Sequence, residues 1–538
     1  MLLCTLPGLF FIETVSASTF AGGSGTSIDP YQISNVHELQ NMSTDLTAHY
    51  VLTNNIEASA TIGWNSGAGF MPIGTSSTPF SGSFDGKGHT ISNLYIYRPM
   101  TNYIGLLGSI STGGFVSNLT LDDNEITGYD YTGALAGYSG FWVEVINCGS
   151  TGNVNGNHNV GGLVSYSYNS LLSHCYSNCN VSGSDDVGGL VGKNIWSEIE
   201  KSYTSGNVIS ISEYPYNIGG LLGYSESSEL NSCYSTSNVY GNYANVGGLV
   251  GVTHSCSVKN SYARGNVSGE HYVGGLVGQN AYSNLQKCYS TGYVEGGYYS
   301  GGLVGLNLEG TILNSFWDTE TSGQTTISGG TGKTTAEMKD VATFTNESTE
   351  SLDEAWDFVG DPYDDAATED IWDIDSEKND GYPYLSWQVF EEPIEVKEYT
   401  LYADKDIEVG KIIAWNDGDY LYVNFTLTAE NWYLTEINLD VDNDISDIPQ
   451  NKKGNPIVGW FTYRWLYTTP ETTWHLTVID ISDEDLSGDI IIAAHAAVAN
   501  HNYYPVVNEG AWAASYPGEN TFVNKGNWAT YIEYELPT

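Results

Sequence analysis

Seven short glycine-bracketed segments recur along this chain at a nearly constant distance. They are GALAG (133–137), GGLVS (161–165), GGLVG (188–192), GGLLG (219–223), GGLVG (247–251), GGLVG (274–278) and GGLVG (301–305), with GLLG at 105–108 a weaker earlier copy. The central leucines, Leu135, Leu163, Leu190, Leu221, Leu249, Leu276 and Leu303, are spaced by 28, 27, 31, 28, 27 and 27 residues. Two further series keep the same beat. Val154, Val181, Val208, Val239, Val267 and Val294 form one, and six residues before each stands Cys148, Cys175, Ser202, Cys233, Ser261 or Cys288. Five of those six are followed by a tyrosine: Tyr176, Tyr203, Tyr234, Tyr262 and Tyr289. Each unit thus holds three short β-prone pieces punctuated by Gly, Asn and Ser, which suits one coil of a stacked solenoid.

The fold expected is all-β: a right-handed parallel β-helix of about ten coils over residues 30–320, followed by a C-terminal β-sandwich. Coils stack ~4.8 Å apart, so equivalent residues form ladders. Leucine and valine ladders point inward, tyrosines line one face, and Asn153, Asn180, Asn207, Asn238 and Asn266 mark a corner. Helical periodicity is missing and Gly reaches 62 residues, which excludes an α-solenoid. Propeller blades need ~40 residues, longer than these units. The sandwich begins after Glu391-Glu392-Pro393, where Leu421, Val423, Phe425 and Leu427 alternate with outward residues.

Charge narrows the partners. With 64 Asp+Glu against 17 Lys+Arg, the net charge of −47 argues against nucleic acid and anionic membrane surfaces. The apolar run Leu2–Ile12 followed by Val15-Ser16-Ala17 reads as a signal peptide over 1–17, although it has no basic start. No later segment reaches 18 consecutive apolar residues, so no membrane span is expected. Removing the leader takes Cys4 and leaves Cys148, Cys175, Cys179, Cys233, Cys256 and Cys288, an even number suited to an oxidising compartment. Cys148 and Cys175 hold the same place in adjacent coils, within disulfide range. For the cysteines two readings stand open: buried free thiols, or links between subunits.

The Gly-Leu-Val units resemble the GLUG repeats of secreted and cell-surface proteins of bacteria and archaea. FSGSFDGKGHTISNLYI (80–96) is similar to the coils that often lead into such repeats, and SFWDTETSGQ (315–324) and NDGYPYLSW (379–387) to their usual exit. The organisation implied is lead-in coils over 18–98, repeats over 99–324, an acidic, aromatic-containing end flap over 325–392 and the sandwich over 396–538. Trp356, Phe358, Tyr363 and Trp372 within the acidic stretch point to an ordered flap that closes the end of the helix. IPQNKKGNPIVGWFTY (448–463) and GNWATYIEY (526–534) are similar to a C-terminal module of uncharacterised secreted proteins. The resemblance speaks to architecture and carries no activity.

Chemical motifs are sparse. GGTGKTT (329–335) lacks the glycine that a phosphate loop needs at the place of Ile327. Asp440, Asp442, Asp444 and Asp447 resemble a calcium loop, but Ile445 and Asn451 stand where an EF-hand has Gly and Glu. His495 and His501 belong to no metalloprotease pattern. The few bases of the repeats are scattered over different units, so no lyase or hydrolase constellation forms. Calcium is therefore the one cofactor expected, with no organic cofactor and no catalytic residue. The function expected is an extracellular structural protein, a self-assembling subunit of a cell-surface layer, sheath or filament. Its partners would be copies of itself, or other envelope proteins or glycans, with Tyr176, Tyr203, Tyr234, Tyr262 and Tyr289 as a first interface. The alternative is an adhesin that uses that tyrosine face as a sugar platform, and a polysaccharide-active enzyme comes third.

Overall fold

The computed structural model describes residues 20–325, 328–346, 348–360, 370–390, 396–403, 407–416, 420–452, 455–467, 472–481, 486, 489–500, 507–514 and 531–535. The leader, Cys4, Tyr363, His501 and most of 526–534 lie outside the described residues. The chain divides into two units, Met1–Gln388 and Val389–Thr538.

The all-β reading holds in both units. The first is a parallel β-solenoid of about 8 turns rather than ten. The excess came from extending the repeat length backwards into the lead-in coils. There, 34 residues separate His49 from its partner Ser83 in the next coil, against 27 between Ser170 and Ser197. The surplus includes a kinked 3-10 segment, Ser59–Gly67.

Within the repeats the register is strict. Val154, Val181, Val208, Val239, Val267 and Val294 pair in succession. The seven central leucines and these six valines are all buried, and burying each such side chain contributes roughly 1.5–3 kcal/mol. The Gly-Leu-Val strands form a seven-stranded sheet of their own, from Ala136–Gly140 to Val304–Leu308. The glycine doublet that announces each strand has a steric cause. A Cβ on Gly189 would run into the carbonyl oxygen of Gly220, and one on Gly188 into that of Val191. Backbone meets backbone at this corner, and only glycine leaves room.

Other corners turn through left-handed residues, as at Asp186, Trp196 and Lys201 in successive turns of the chain. The asparagine series expected at a corner uses no left-handed backbone. Asn153 and Asn180 lie within strands, and Asn207, Asn238 and Asn266 each stand just before the strand that begins at Val208, Val239 or Val267. Their amides bond from coil to coil, Asn180 to Asn153 at 3.3 Å and Asn207 to Asn180 at 3.1 Å.

The second unit is antiparallel. Nine strands form one hydrogen-bonded sheet. Leu421, Val423, Phe425 and Leu427 alternate inward as the sequence pattern demands, joining a core with Leu401, Ile412, Leu434, Ile437, Ile490 and Ile492. The sheet is wrapped rather than flat. Its two end strands, Tyr463–Leu466 and Trp474–Asp480, come together with the rings of Trp465 and His475 4.3 Å apart. That contact shields edges which would otherwise offer unpaired backbone groups.

Candidate functional site

In-register coils force like residues into stacks, and the tyrosine series is the largest such stack on the outer surface. Ring centroids are 5.3 Å apart for Tyr176–Tyr203, 4.9 Å for Tyr203–Tyr234, 5.1 Å for Tyr234–Tyr262 and 4.8 Å for Tyr262–Tyr289. The rings are within 13° of parallel. Tyrosine pairs left to themselves favour offset or edge-on packing; here the coil rise dictates the geometry.

The expected flap is present, and among the described residues its first ones alone pair as a strand with the last coil. Its described residues between 334 and 388 lie along the tyrosine face. Met338, Phe344, Trp356, Phe358 and Trp372 form one core with Tyr262, Tyr289 and Phe316. Trp387 reaches further back, 5.8 Å from the Tyr234 ring and 6.3 Å from that of Tyr203. The cause is the ladder itself, a large apolar stripe that the aromatics of the acidic stretch remove from water. The end of the repeats is met by Thr331–Lys333, the start of the same 325–392 segment, paired in parallel with Phe316–Asp318.

Polar bonds fix the register of this clamp. The Tyr289 hydroxyl donates to the Pro383 carbonyl at 2.5 Å, and the Tyr262 hydroxyl to Gln388 Oε1 at 2.9 Å. The guanidinium of Arg264 donates to the Asn379 carbonyl at 2.8 Å and pairs with Asp380 at 2.5 Å. It also lies 4.9 Å from the Tyr382 ring centroid. Tyr382 in turn donates to Asp318 Oδ2 at 2.7 Å, and Lys287 pairs with Glu354 at 2.8 Å. Two of the few bases in the repeats thus dock acidic residues of the clamp. The two exit motifs, far apart in sequence, are the two halves of this arrangement. Burial raises the Tyr262 and Tyr289 hydroxyls well above the ordinary tyrosine range, so both remain neutral donors. Tyr262 and Tyr289 are 0% exposed, which removes them from any interface or sugar platform.

The cysteines follow the first of the two readings left open, buried free thiols. Cys148, Cys175, Cys179, Cys233, Cys256 and Cys288 are free and buried, with no disulfide among them. Most serve as corner residues interchangeable with serine. Cys175, Cys233 and Cys288 direct their thiols at the carbonyl two residues back, at 3.4, 3.3 and 3.2 Å. Ser202 and Ser261 do the same at 2.7 and 2.6 Å. Where the next coil has serine, its hydroxyl also accepts the N–H of the cysteine, as from Cys175 to Ser202 at 3.0 Å and Cys233 to Ser261 at 3.1 Å. Cys256 holds a parallel series with Ser197, Ser228 and Ser283. A thiol turned inward in this way cannot reach another subunit. Burial pushes the thiols of Cys175, Cys233 and Cys288 up to about 12, so they are inert as nucleophiles.

The remaining candidates are spread out. Asp440 is buried at the end of the strand Trp432–Asp442 and accepts from the Thr462 N–H at 3.3 Å. Asp442 and Asp444 accept from the N–H groups of Asn443 and Ser446 in the following turn. Among the described residues no three acidic, histidine or cysteine groups gather as a metal cluster. Lys333 of GGTGKTT lies on a strand, 5.9 Å over the Phe316 ring. Arg264 and Asp318 are the residues that sequence reasoning missed; Arg264 stands within the repeats and Asp318 within SFWDTETSGQ, and no spacing relates either to its partner in NDGYPYLSW.

Comparison with known proteins agrees with this geometry. The profile of the GLUG motif matches residues 242–268 and 269–294. Halomucin of Haloquadratum walsbyi is 42% identical over 160 residues, 28% of this chain and 2% of that protein. A Gly-rich membrane protein of Evansella cellulosilytica is 36% identical over 118 residues, 22% of this chain and 14% of that one. The chain therefore matches only a small share of either relative's length. An IgA1 protease structure aligns over 53% of this chain and 21% of its own at 17% identity, with a TM-score of 0.33 that carries no argument. Matched in sequence at two adjacent coils and in register throughout, the solenoid is a GLUG-repeat parallel β-helix.

Proposed function

We propose that this chain is an extracellular, non-catalytic structural protein that assembles with copies of itself at a cell surface. The relatives' names, a mucin and a membrane protein, support the location. Among the described residues no helix is long and apolar enough to cross a membrane. The observation that carries self-association is the outward amide ladder from Asn153 to Asn266. In a chain of net charge −47 it is an uncharged stripe that repeats with the coil, so a second copy can meet it in register without like-charge repulsion. The buried thiols and the covered end of the tyrosine ladder leave this stripe as the stronger contact.

Sedimentation of the full chain over rising concentration is the test, beside imaging of native envelopes for a lattice. Oligomers are expected, and the triple change Asn180→Asp, Asn207→Asp, Asn238→Asp should dissolve them by placing like charges in one stack. A monomer at every concentration, or oligomers indifferent to the triple change, would overturn the reading. A glycan-binding role is the second reading, and a different surface favours it.

A further inference from the structure

Six or seven residues after each central leucine the chain turns through a left-handed corner occupied by Trp142, Asn169, Trp196, Ser227, Ser255, Tyr282 or Glu309. The backbone secures this corner by itself. The N–H of Trp142 donates to the Asn169 carbonyl at 2.8 Å, that of Trp196 to Glu226 at 3.0 Å and that of Tyr282 to Leu308 at 2.9 Å. Asparagine is comfortable at such a corner and bulky aromatics are uncommon there. Yet Trp142, Trp196 and Tyr282 take φ of 65°, 51° and 52°. They are 72%, 56% and 56% exposed, so the core gains little from them. Strained, exposed aromatics whose backbone needs no help from their side chains point to a task outside the fold.

A second ladder runs beside them. Glu144, Leu171, Glu198, Glu229, Ser257 and Asn284 stack in register, one per coil. The two ladders line a groove of about 650 Å³. Its walls combine flat aromatic faces with hydrogen-bond acceptors, the composition of a small-molecule site.

We propose that this groove binds an extended, uncharged glycan chain lying along the solenoid axis. Aromatic faces pack against the apolar faces of sugar rings, and the carboxylates and amides beside them accept hydroxyl protons. Trp142 and Trp196 are two coils apart, about 10 Å, so an extended chain meets them with alternate rings while the ring between faces Asn169. Charge sets the class of ligand. Glu144 and Glu198, beside a Glu229 paired with Lys259 at 3.1 Å, stand on one wall of a chain of net charge −47 and repel sulfated or uronic-acid polymers. The carboxylates share one ladder, so no pair stands on opposite sides of a glycosidic bond as hydrolysis requires. The groove holds its chain and does not cut it. It uses no residue of the amide ladder, so its test is separate from that of self-association.

The test is titration of the full chain with cellohexaose, chitohexaose and mannohexaose, and with hexagalacturonate as the anionic counterpart, by calorimetry and tryptophan fluorescence. At least one neutral hexasaccharide should bind and shift the emission, and hexagalacturonate should not. Trp142→Ala and Trp196→Ala should each weaken binding roughly five- to tenfold with an unchanged melting temperature. Tyr298→Ala, at an exposed tyrosine outside the groove, should leave binding unchanged. Absence of binding by every neutral hexasaccharide at millimolar concentration would overturn the proposal. So would binding that survives the double change Trp142→Ala, Trp196→Ala, or equal binding of hexagalacturonate.

Discussion

Cutting Tyr289 back to alanine tests whether the ladder and the clamp hold each other. The ring is 0% exposed and lies 4.8 Å from Tyr262, 6.0 Å from Trp372 and 6.4 Å from Trp356. Removing a buried aromatic of this kind costs about 3–5 kcal/mol, from lost transfer energy and the cavity left behind. The hydroxyl alone is worth less. Its acceptor, the Pro383 carbonyl, also receives the Asn379 side-chain N–H at 2.7 Å, so Tyr289→Phe leaves that oxygen bonded. The Phe change should therefore cost only about 1 kcal/mol. Because solenoid coils contact mainly their neighbours, the loss should fall on the clamp and the last coils rather than on the whole rod. Hydrogen exchange at the amides of Trp356, Trp372 and Ser386, all bonded within the clamp, reports it directly. In the alanine variant these amides should exchange faster by two to three powers of ten, while those of the Val154–Val208 coils stay protected. Wild-type protection at the clamp, or equal losses for Ala and Phe, would refute the view that ring burial joins the two parts.

Leu249→Asp puts a charge without a partner into an aliphatic ladder and should abolish folding of the central coils, seen as loss of the cooperative melt. The six described thiols should resist a disulfide-exchange reagent in the native protein and all react in denaturant; fast reaction of the native protein would contradict their burial. Burial lowers His495 from its ordinary 6.5 to about 4, so below 6.5 the unfolded chain binds a proton that the folded chain refuses. The contribution is full above pH 6.5 and is lost as pH falls toward 4, worth about 3 kcal/mol. Over that window the second unit should lose more stability than its His495→Gln variant, and equal losses would count against the assignment. Divalent cations should raise the melting temperature by screening a net charge of −47. Because the acidic residues at 440–447 do not converge, Asp444→Asn should leave that effect unchanged; a loss confined to calcium would instead reveal a bound ion.

The period of Leu135 to Leu303 determined the solenoid, its register and the identity of its inner ladders. Those are properties of a chain that repeats itself, because in-register stacking converts spacing directly into contact. The glycine doublets, the valine series and the tyrosine stack were legible for the same reason. What lay between distant segments was not. SFWDTETSGQ and NDGYPYLSW carry no period that relates them, and only the folded chain brings Asp318 to Tyr382 and Arg264 to Asp380. The cysteine series shows the same division. Sequence spacing placed Cys148 and Cys175 side by side, but which way a side chain turns at a corner depends on the backbone there. Inward rotation made them substitutes for serine instead of cross-links. The aromatic corner of Trp142, Trp196 and Tyr282 was hidden because its column has no common residue type. A left-handed turn secured by coil-to-coil backbone bonds lets the side chain vary, and the surface that variation builds exists only once the coils are stacked.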